Sequence, residues 1–228
     1  MIHSDKTFNA VCFDCDSTLS RIEGIDELAS RAGLASQIAP LTAAAMDGTL
    51  TLDAVYAKRL SVVRPDRAAL AWLGKRYVDE LVPGAKETIN ALHHLGKAVY
   101  IVSGGLLPAI AHLAEELEIP RDHTFAVDVK FGSDGSYQDF DRQSPLARYD
   151  GKAVVCRSLA NPNSMIAMVG DGVTDLAART GGAYIVGFGG VVQRPAVVNG
   201  ADAFVPGPNL TAVLDAVLST QERRRVTA

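Results

Sequence analysis

Two pairs of aspartates stand where the sequence could do chemistry. Asp14 and Asp16 follow an apolar run that ends at Phe13, and Asp171 and Asp175 follow another apolar run later in the chain. Two like charges about 4 Å apart repel by roughly 4 kcal/mol at an effective dielectric of 20, so a cluster of carboxylates requires a cation. Hard oxygen ligands select Mg²⁺, which also binds phosphate oxygens. Taken alone, such a pair of aspartates more often ends a strand at a turn. The other polar residues of the chain therefore decide whether the pair belongs to a catalytic site.

Those companions are the groups that phosphoryl transfer needs. Ser103, Gly104 and Gly105 follow a third apolar run and offer a hydroxyl and backbone amides, and Lys152 offers a cation. Glycine lets backbone N–H groups approach an anion, and a helix that begins there presents its positive end. Each feature by itself is more often a tight turn or a surface lysine. Together, at successive strand ends, they predict a phosphate site.

The elements that must position these residues alternate between strands and helices. Short apolar runs predict strands at 8–13, 99–102, 165–169 and 184–186. Helical patterns lie at 83–95, at 106–117 and after the N-cap residue Asn209. This alternation predicts an α/β fold with a doubly wound, mainly parallel sheet, in which the carboxyl ends of the strands meet at one edge.

One long segment interrupts the alternation. Residues 21–81 contain successive helical patterns and no strand pattern, which predicts an inserted helical cap. The catalytic core is then expected at 1–20 and 82–228, and the cap at 21–81. Residues 131–140, with Asp134-Gly135 between β-favouring positions, predict a small hairpin.

Composition limits the possible partners and the location. The chain has 228 residues, of which 48% are hydrophobic and 21% charged, and a net charge of -4, so it has no electrostatic reason to bind nucleic acid or an anionic membrane. Three cysteines do not make a secreted disulfide framework, the start lacks a signal-peptide pattern, and the most apolar stretch is interrupted by polar residues. We therefore expect no membrane segment and a cytoplasmic location. The oligomeric state is unknown from the sequence.

The four motifs, in this order, resemble those of the haloacid dehalogenase superfamily, and specifically its phosphoserine phosphatase branch. The resemblance covers nearly the whole chain. The matching segments are Phe13-Asp14-Cys15-Asp16-Ser17-Thr18-Leu19, Val102-Ser103-Gly104-Gly105, Gly151-Lys152 and Gly170-Asp171-Gly172-Val173-Thr174-Asp175.

This resemblance implies a division of labour among the acidic residues. Asp14 would attack phosphorus and become an aspartyl phosphate, while Asp16 would protonate the leaving alkoxide and then activate water. Mg²⁺ would be held by the Asp14 carboxylate, the Asp16 carbonyl and Asp171. Asp175 would support these ligands from behind the metal.

The resemblance also implies the groups that bind the substrate. Ser103, the Gly104 amide and Lys152 would hold the transferring phosphoryl group. Thr174 stands where many relatives have Asn and keeps a hydrogen-bond donor.

In the cap, the residue matching Glu23 meets the substrate ammonium, and the one matching Arg59 pairs with its carboxylate. Met46 also matches a cap position that binds substrate.

The implied reaction is hydrolysis of O-phosphoserine to serine and phosphate through an aspartyl phosphate, which is the last step of serine biosynthesis. One alternative is a phosphatase or phosphotransferase of the same mechanism for another small phosphomonoester. Another, from a non-enzyme class, is a receiver-like module that stores phosphate on Asp14. An acid at Asp16 favours turnover over storage, and the helical insertion fits a receiver poorly.

Overall fold

A central sheet of six parallel strands organises the molecule. The computed structural model describes residues 6–46, 49–161 and 164–226, without the side chains of Met46 and Leu52. Its strands are β1 (Ala10–Phe13), β2 (Ala98–Leu106), β3 (Thr124–Val127), β6 (Ile166–Gly170), β7 (Tyr184–Phe188) and β8 (Ala203–Val205). They lie in the order β3-β2-β1-β6-β7-β8, and every adjacent pair is parallel. The predicted α/β fold with a parallel sheet is confirmed.

The direction of winding reverses between β1 and β6. From β1 the chain proceeds through β2 and β3 toward one edge, and then returns to β6 and proceeds through β7 and β8 toward the other. Both central strands are buried along their whole length, as expected where helices cover a parallel sheet on both faces. At such a reversal the loops at the carboxyl ends diverge and leave a crevice between them.

The second strand is longer than predicted. It extends through Leu106, so Ser103, Gly104 and Gly105 lie within β2 and not in a loop after it. Pairing with β3 shifts in register between Val102 and Leu106. The polar segment therefore keeps an extended backbone because the strand resumes pairing beyond it.

The insertion is helical, as predicted, and one of its helices packs closely on the core. Its helices are α1 (Gly24–Arg31), α2 (Ala35–Met46), α3 (Leu52–Val63) and α4 (Arg67–Asp79). Helix α4 contacts α6 (Leu107–Glu116) at Gly74, where an added Cβ would lie 2.4 Å from the His112 ring. The division between core and cap at 20/21 and 81/82 stays a prediction.

The remaining elements complete the core. The predicted hairpin is present as antiparallel β4 (Val129–Phe131) and β5 (Tyr137–Phe140). The helices are α5 (Ala85–His94), α7 (Gly151–Leu159), α8 (Val173–Ala177), α9 (Pro195–Gly200), α10 (Leu214–Val217) and α11 (Thr220–Val226). The single helix predicted after Asn209 is instead a 3₁₀ turn, Leu210–Val213, that continues into α10. Across the described ranges, no helix has the length and apolar character to cross a bilayer.

Candidate active site

One cavity at the carboxyl ends of the central strands collects nearly all of the predicted site residues. Asp175 lies fully buried behind its wall. The side chain of Met46 falls outside the described part of the chain. The predicted residues that line the cavity are Asp14, Asp16, Glu23, Arg59, Ser103, Gly104, Lys152, Asp171 and Thr174.

Lys152 joins two of the carboxylates. The backbone N–H of Asp14 donates to the Val169 carbonyl at 2.9 Å, which fixes the end of β1 against β6. The Lys152 ammonium lies 2.6 Å from Asp14 Oδ2 and 2.7 Å from Asp175 Oδ1. Burial would lower the pKa of Lys152, but the two carboxylates outweigh it and the pKa is raised. A fixed positive charge therefore stands beside Asp14.

Three buried carboxylates form a cluster suited to a hard cation. Asp14, Asp171 and Asp175 each offer an oxygen, and these oxygens lie within 4.8 Å of one another. Burial, then the Asp14 charge, raises the pKa of Asp171 to about 6. Burial also raises the pKa of Asp175 to about 7, although Lys152 opposes the shift. These oxygens fit the donor set that Mg²⁺ prefers, and a bound cation would relieve their repulsion.

A glycine makes room for this cluster. A Cβ on Gly170 would lie 2.0 Å from Asp175 Cγ, so only glycine lets that carboxylate lie against the end of β6. Asp175 also accepts the Gly172 N–H at 2.9 Å, at the start of α8. The Asp175 carboxylate is thereby held by the Gly172 N–H on one oxygen and by the Lys152 ammonium on the other.

Asp16 lies in the same cavity but has different partners. Its Oδ1 accepts the Gly24 N–H at 2.9 Å and the Tyr77 hydroxyl at 2.7 Å. Burial and then the Asp14 charge raise its pKa to about 6, against the effect of those hydrogen bonds. The next residue, Ser17, has a φ of 53°, a left-handed turn that carries the chain away from the strand direction. Asp16 is thus placed to exchange a proton near neutral pH.

The strand segment at Ser103 is held by a hydrogen bond within the segment and by one from the helical insertion. Ser103 Oγ accepts the Gly105 N–H at 3.1 Å, and the Tyr56 hydroxyl of α3 donates to the Gly104 carbonyl at 2.9 Å. Thr174, near the start of α8, also lines this cavity. The contact from Tyr56 joins the helical insertion to the predicted phosphate site.

The helical insertion contributes one acidic and one basic side chain to the cavity, Glu23 and Arg59. Glu23 Oε1 accepts the Ser17 hydroxyl at 2.8 Å, and burial raises the pKa of Glu23. Arg59 is 5% exposed and reaches Thr42 Oγ1 at 3.4 Å. Within the described ranges, Arg59 Nε is the one buried side-chain N or O atom that lacks a hydrogen bond. A buried donor without a partner is costly, and a ligand acceptor in this cavity would satisfy it.

Comparisons with known proteins identify the family. A family model described as haloacid dehalogenase-like hydrolase matches residues 8–179, most of the chain. The chain belongs to the haloacid dehalogenase-like hydrolases. The predicted family is therefore confirmed, and this decides against the receiver-like alternative, since the members of the family are hydrolases.

Relatives place this hydrolase in the phosphoserine phosphatase branch. A protein of Bos taurus named phosphoserine phosphatase is 36% identical over 199 residues, which cover 86% of this chain and 88% of that protein. A solved phospho-aspartyl intermediate analogue of phosphoserine phosphatase has a TM-score of 0.79 and 26% identity, covering 93% of this chain and 100% of that one. A substrate-bound phosphoserine phosphatase complex has a TM-score of 0.78 and 25% identity, with the same coverage.

The sequence of this haloacid dehalogenase-like hydrolase did not indicate two of the residues at the site. Arg194, in the segment between β7 and α9, lies 3.1 Å from Asp171 Oδ2 and 3.6 Å from Glu23 Oε1. Tyr77, on α4, is fully buried against Asp16. The position of Arg194 soon after a glycine-rich strand end was the one available signal. Tyr77 gave none, because its place in an amphipathic helix is typical of a core residue.

Proposed function

We propose that the chain is a Mg²⁺-dependent phosphoserine phosphatase that hydrolyses O-phosphoserine to serine and phosphate, the last step of serine biosynthesis. The observation that carries the proposal is that Arg59 and Glu23 line the same cavity as Asp14, Lys152 and Ser103. A phosphate site that faces both a guanidinium and a carboxylate suits a small phosphorylated zwitterion. The relatives named phosphoserine phosphatase support the same substrate.

The proposed reaction has two proton-coupled displacements. First, a carboxylate oxygen of Asp14 forms a bond to phosphorus as the bond to the serine oxygen breaks, and protonated Asp16 gives its proton to that oxygen. Water then attacks the aspartyl phosphate and gives a proton to the Asp16 carboxylate, and the bond from Asp14 to phosphorus breaks. Serine and phosphate are released, and both aspartates return to their starting states. The pKa of about 6 at Asp16 suits both duties near neutral pH.

Three groups are proposed to hold the phosphoryl group during these steps. The Ser103 hydroxyl and the Gly104 N–H donate hydrogen bonds to its oxygens, and Lys152 stabilises the charge that they carry. The buried position of Lys152 strengthens that interaction, because little water screens it. Thr174, which lines the same cavity, contributes a further donor.

The metal site is proposed at the carboxylate cluster. Asp14 and Asp171 would hold Mg²⁺ together with the backbone carbonyl of Asp16, and Asp175 would keep Lys152 and the start of α8 in place behind them. When bound, the cation would bring phosphate oxygens to Asp14 and offset their negative charge. Members of this hydrolase family generally use Mg²⁺, and the clustered oxygens suit it.

The substrate's amino-acid part is proposed to lie toward the helical insertion. The free Nε of Arg59 would donate to the carboxylate of phosphoserine, and Glu23 would accept from its ammonium. Met46 stays a predicted apolar contact at this end. The cytoplasmic location predicted from the sequence also stays a prediction, consistent with a small polar substrate.

A phosphate-release assay over a panel of small phosphomonoesters, with and without Mg²⁺, tests this function. We expect phosphoserine to have the highest kcat/KM and activity to require the metal. Asp14→Asn should abolish turnover, whereas Asp122→Asn, at an exposed residue remote from the cavity lining, should leave it unchanged. A preference for another phosphomonoester would move the substrate to the alternative of a related phosphatase or phosphotransferase and leave the mechanism intact. Full activity in Asp14→Asn would overturn the mechanism itself.

A further inference from the structure

Asp16 is held by a hydroxyl from the helical insertion. Among the described residues, two donate hydrogen bonds to its carboxylate, Tyr77 and Gly24, and both bonds end on Oδ1. Oδ2 is therefore the oxygen left to exchange protons in the cavity. We infer that Tyr77 is a positioning residue that fixes which oxygen of Asp16 carries the proton. This inference rests on the proposed function of Asp16 as acid and base.

Packing on two sides fixes the Tyr77 hydroxyl. A Cβ on Gly24 would lie 2.0 Å from that hydroxyl oxygen, so the contact with Asp16 exists because residue 24 is glycine. Three residues before Tyr77 on α4, Gly74 lies directly against His112 of the core helix α6. Tyr77 is fully buried. The position of its hydroxyl is therefore fixed by the packing of α4 against the core.

The hydrogen bond has a definite consequence for proton transfer. A tyrosine hydroxyl at neutral pH carries a proton and donates it in a hydrogen bond, so it keeps Oδ1 as an acceptor through both steps. In the first step the proton on Oδ2 moves to the oxygen of the leaving alcohol as the phosphorus–oxygen bond breaks. In the second step Oδ2 takes a proton from the attacking water. The same oxygen then serves as acid and as base.

Without the hydroxyl, the carboxyl group has more freedom. The χ2 angle of Asp has a broad, roughly two-fold preference, so the group turns easily once a restraint is removed. The proton is then shared between Oδ1 and Oδ2, and a smaller share of bound complexes has it directed at the leaving oxygen. The loss is confined to steps that need the proton, which separates positioning from general packing.

The experiment compares leaving groups in Tyr77→Phe, which keeps the buried ring. The full-length protein with Mg²⁺ is assayed on its best alkyl phosphate and on p-nitrophenyl phosphate, whose phenolate leaves without a proton. General acid catalysis contributes roughly 10²- to 10⁴-fold, and we expect about a tenfold loss or more in kcat/KM for the alkyl substrate. The aryl substrate should lose less than about threefold, because bond cleavage there does not depend on Asp16.

The water step offers a second readout. With p-nitrophenyl phosphate in rapid mixing, Tyr77→Phe should release a burst of nitrophenol followed by a slower steady rate, because dephosphorylation still needs Asp16 as a base. The matched control is Tyr184→Phe, whose hydroxyl reaches the Asp202 carbonyl at 3.4 Å, away from the cavity lining. That variant should show neither effect.

Two outcomes would overturn the inference. Equal losses for both leaving groups would mean that Tyr77 acts through packing alone, and unchanged kinetics would mean that its hydroxyl is idle.

If Tyr77→Phe unfolds at the assay temperature, the comparison is repeated at a lower temperature, where thermal scans show both proteins folded. Adding Tyr77→Phe to Asp16→Asn should change alkyl kcat/KM by less than about twofold, since the two changes remove one function. Because the best alkyl phosphate of the unaltered protein is used, an error in the proposed substrate would not affect this result.

Discussion

The ammonium of Lys152 lies 2.6 Å from Oδ2 of Asp14, the proposed nucleophile. The same ammonium is shared with Asp175, and all three side chains are almost fully enclosed. Lys152 therefore has a structural duty as well as the proposed catalytic one, because it compensates two buried carboxylates.

Replacing this lysine should cost both stability and activity. Removing one partner of a buried ion pair destabilises proteins by roughly 3–5 kcal/mol, and we expect a loss of that order in Lys152→Met. Denaturant unfolding measures it. Lys86→Met removes an ion pair whose lysine side chain is 50% exposed, and it should change the free energy of unfolding by less than about 1 kcal/mol. Equal effects in the two variants would show that Lys152 does not compensate the buried acids.

Substrate selectivity should separate into two independent contacts. Arg59→Gln should lower kcat/KM roughly 10- to 100-fold for substrates with a carboxylate, phosphoserine and phosphoglycolate, because a charge-assisted hydrogen bond is lost. It should leave phosphoethanolamine, which has only the ammonium, nearly unchanged. Glu23→Gln should show the reverse pattern, with phosphoserine and phosphoethanolamine weakened. If either variant lowered kcat/KM equally for substrates with and without the charged group in question, the assigned orientation of phosphoserine would be contradicted.

Arg194 should weaken metal binding. Its guanidinium lies 3.1 Å from Asp171 Oδ2, so its positive charge opposes a cation at the same cluster. At an effective dielectric near 40, a unit charge about 6 Å from a divalent cation contributes roughly 3 kcal/mol, so Arg194→Gln should tighten Mg²⁺ binding by about tenfold or more.

Calorimetric titration of the substrate-free protein measures that constant. Arg179→Gln, which removes an ion pair to Asp202, is the control with the same change in net charge. Weaker Mg²⁺ binding in Arg194→Gln would show that Arg194 instead organises Asp171 for the metal.

The contact between the C-terminal helix and Lys97 should contribute less to stability as the pH falls. Lys97 donates from Nζ to the Phe8 carbonyl and to Glu222 of α11, at 2.6 Å in each case. Burial alone would raise the pKa of Glu222, but its hydrogen bonds from Lys97 and Ser219 outweigh burial and lower it below 4.5. A lowered carboxyl pKa stabilises the folded state above the unfolded value, and that contribution is lost as the pH falls through the folded value.

The contribution of Glu222 is measured as a difference between variants. Glu222→Gln should lower the free energy of unfolding by about 1 kcal/mol at neutral pH, and the difference from the unaltered protein should disappear in acid. Glu115→Gln, at an exposed position on α6, should show no such pH dependence. A difference that persists unchanged into acid would mean that the Glu222 charge does not hold the helix.

The sequence predicted the features that depend on neighbours along the chain. The run of apolar residues before Asp14 and the one before Asp171 predicted buried strands, and parallel strands bring their carboxyl ends to one edge. The encounter of Asp14, Asp171 and Asp175 follows from those two facts. The extent of β2 was less predictable, since pairing with β3 carries it past Ser103.

Only the tertiary structure decided which groups meet those acids from a distance. Tyr77 and Asp16 are 61 positions apart, and Arg194 and Asp171 are 23 apart, so no local pattern reports their contacts. Such contacts depend on how α4 packs against the core and on the path of the segment between β7 and α9. By itself the sequence determined the carboxylates, the lysine and the strands that deliver them. The hydrogen bond from Tyr77 to Asp16 and the ion pair between Arg194 and Asp171 were decided by tertiary packing, because packing energies sum over residues that are remote in the chain.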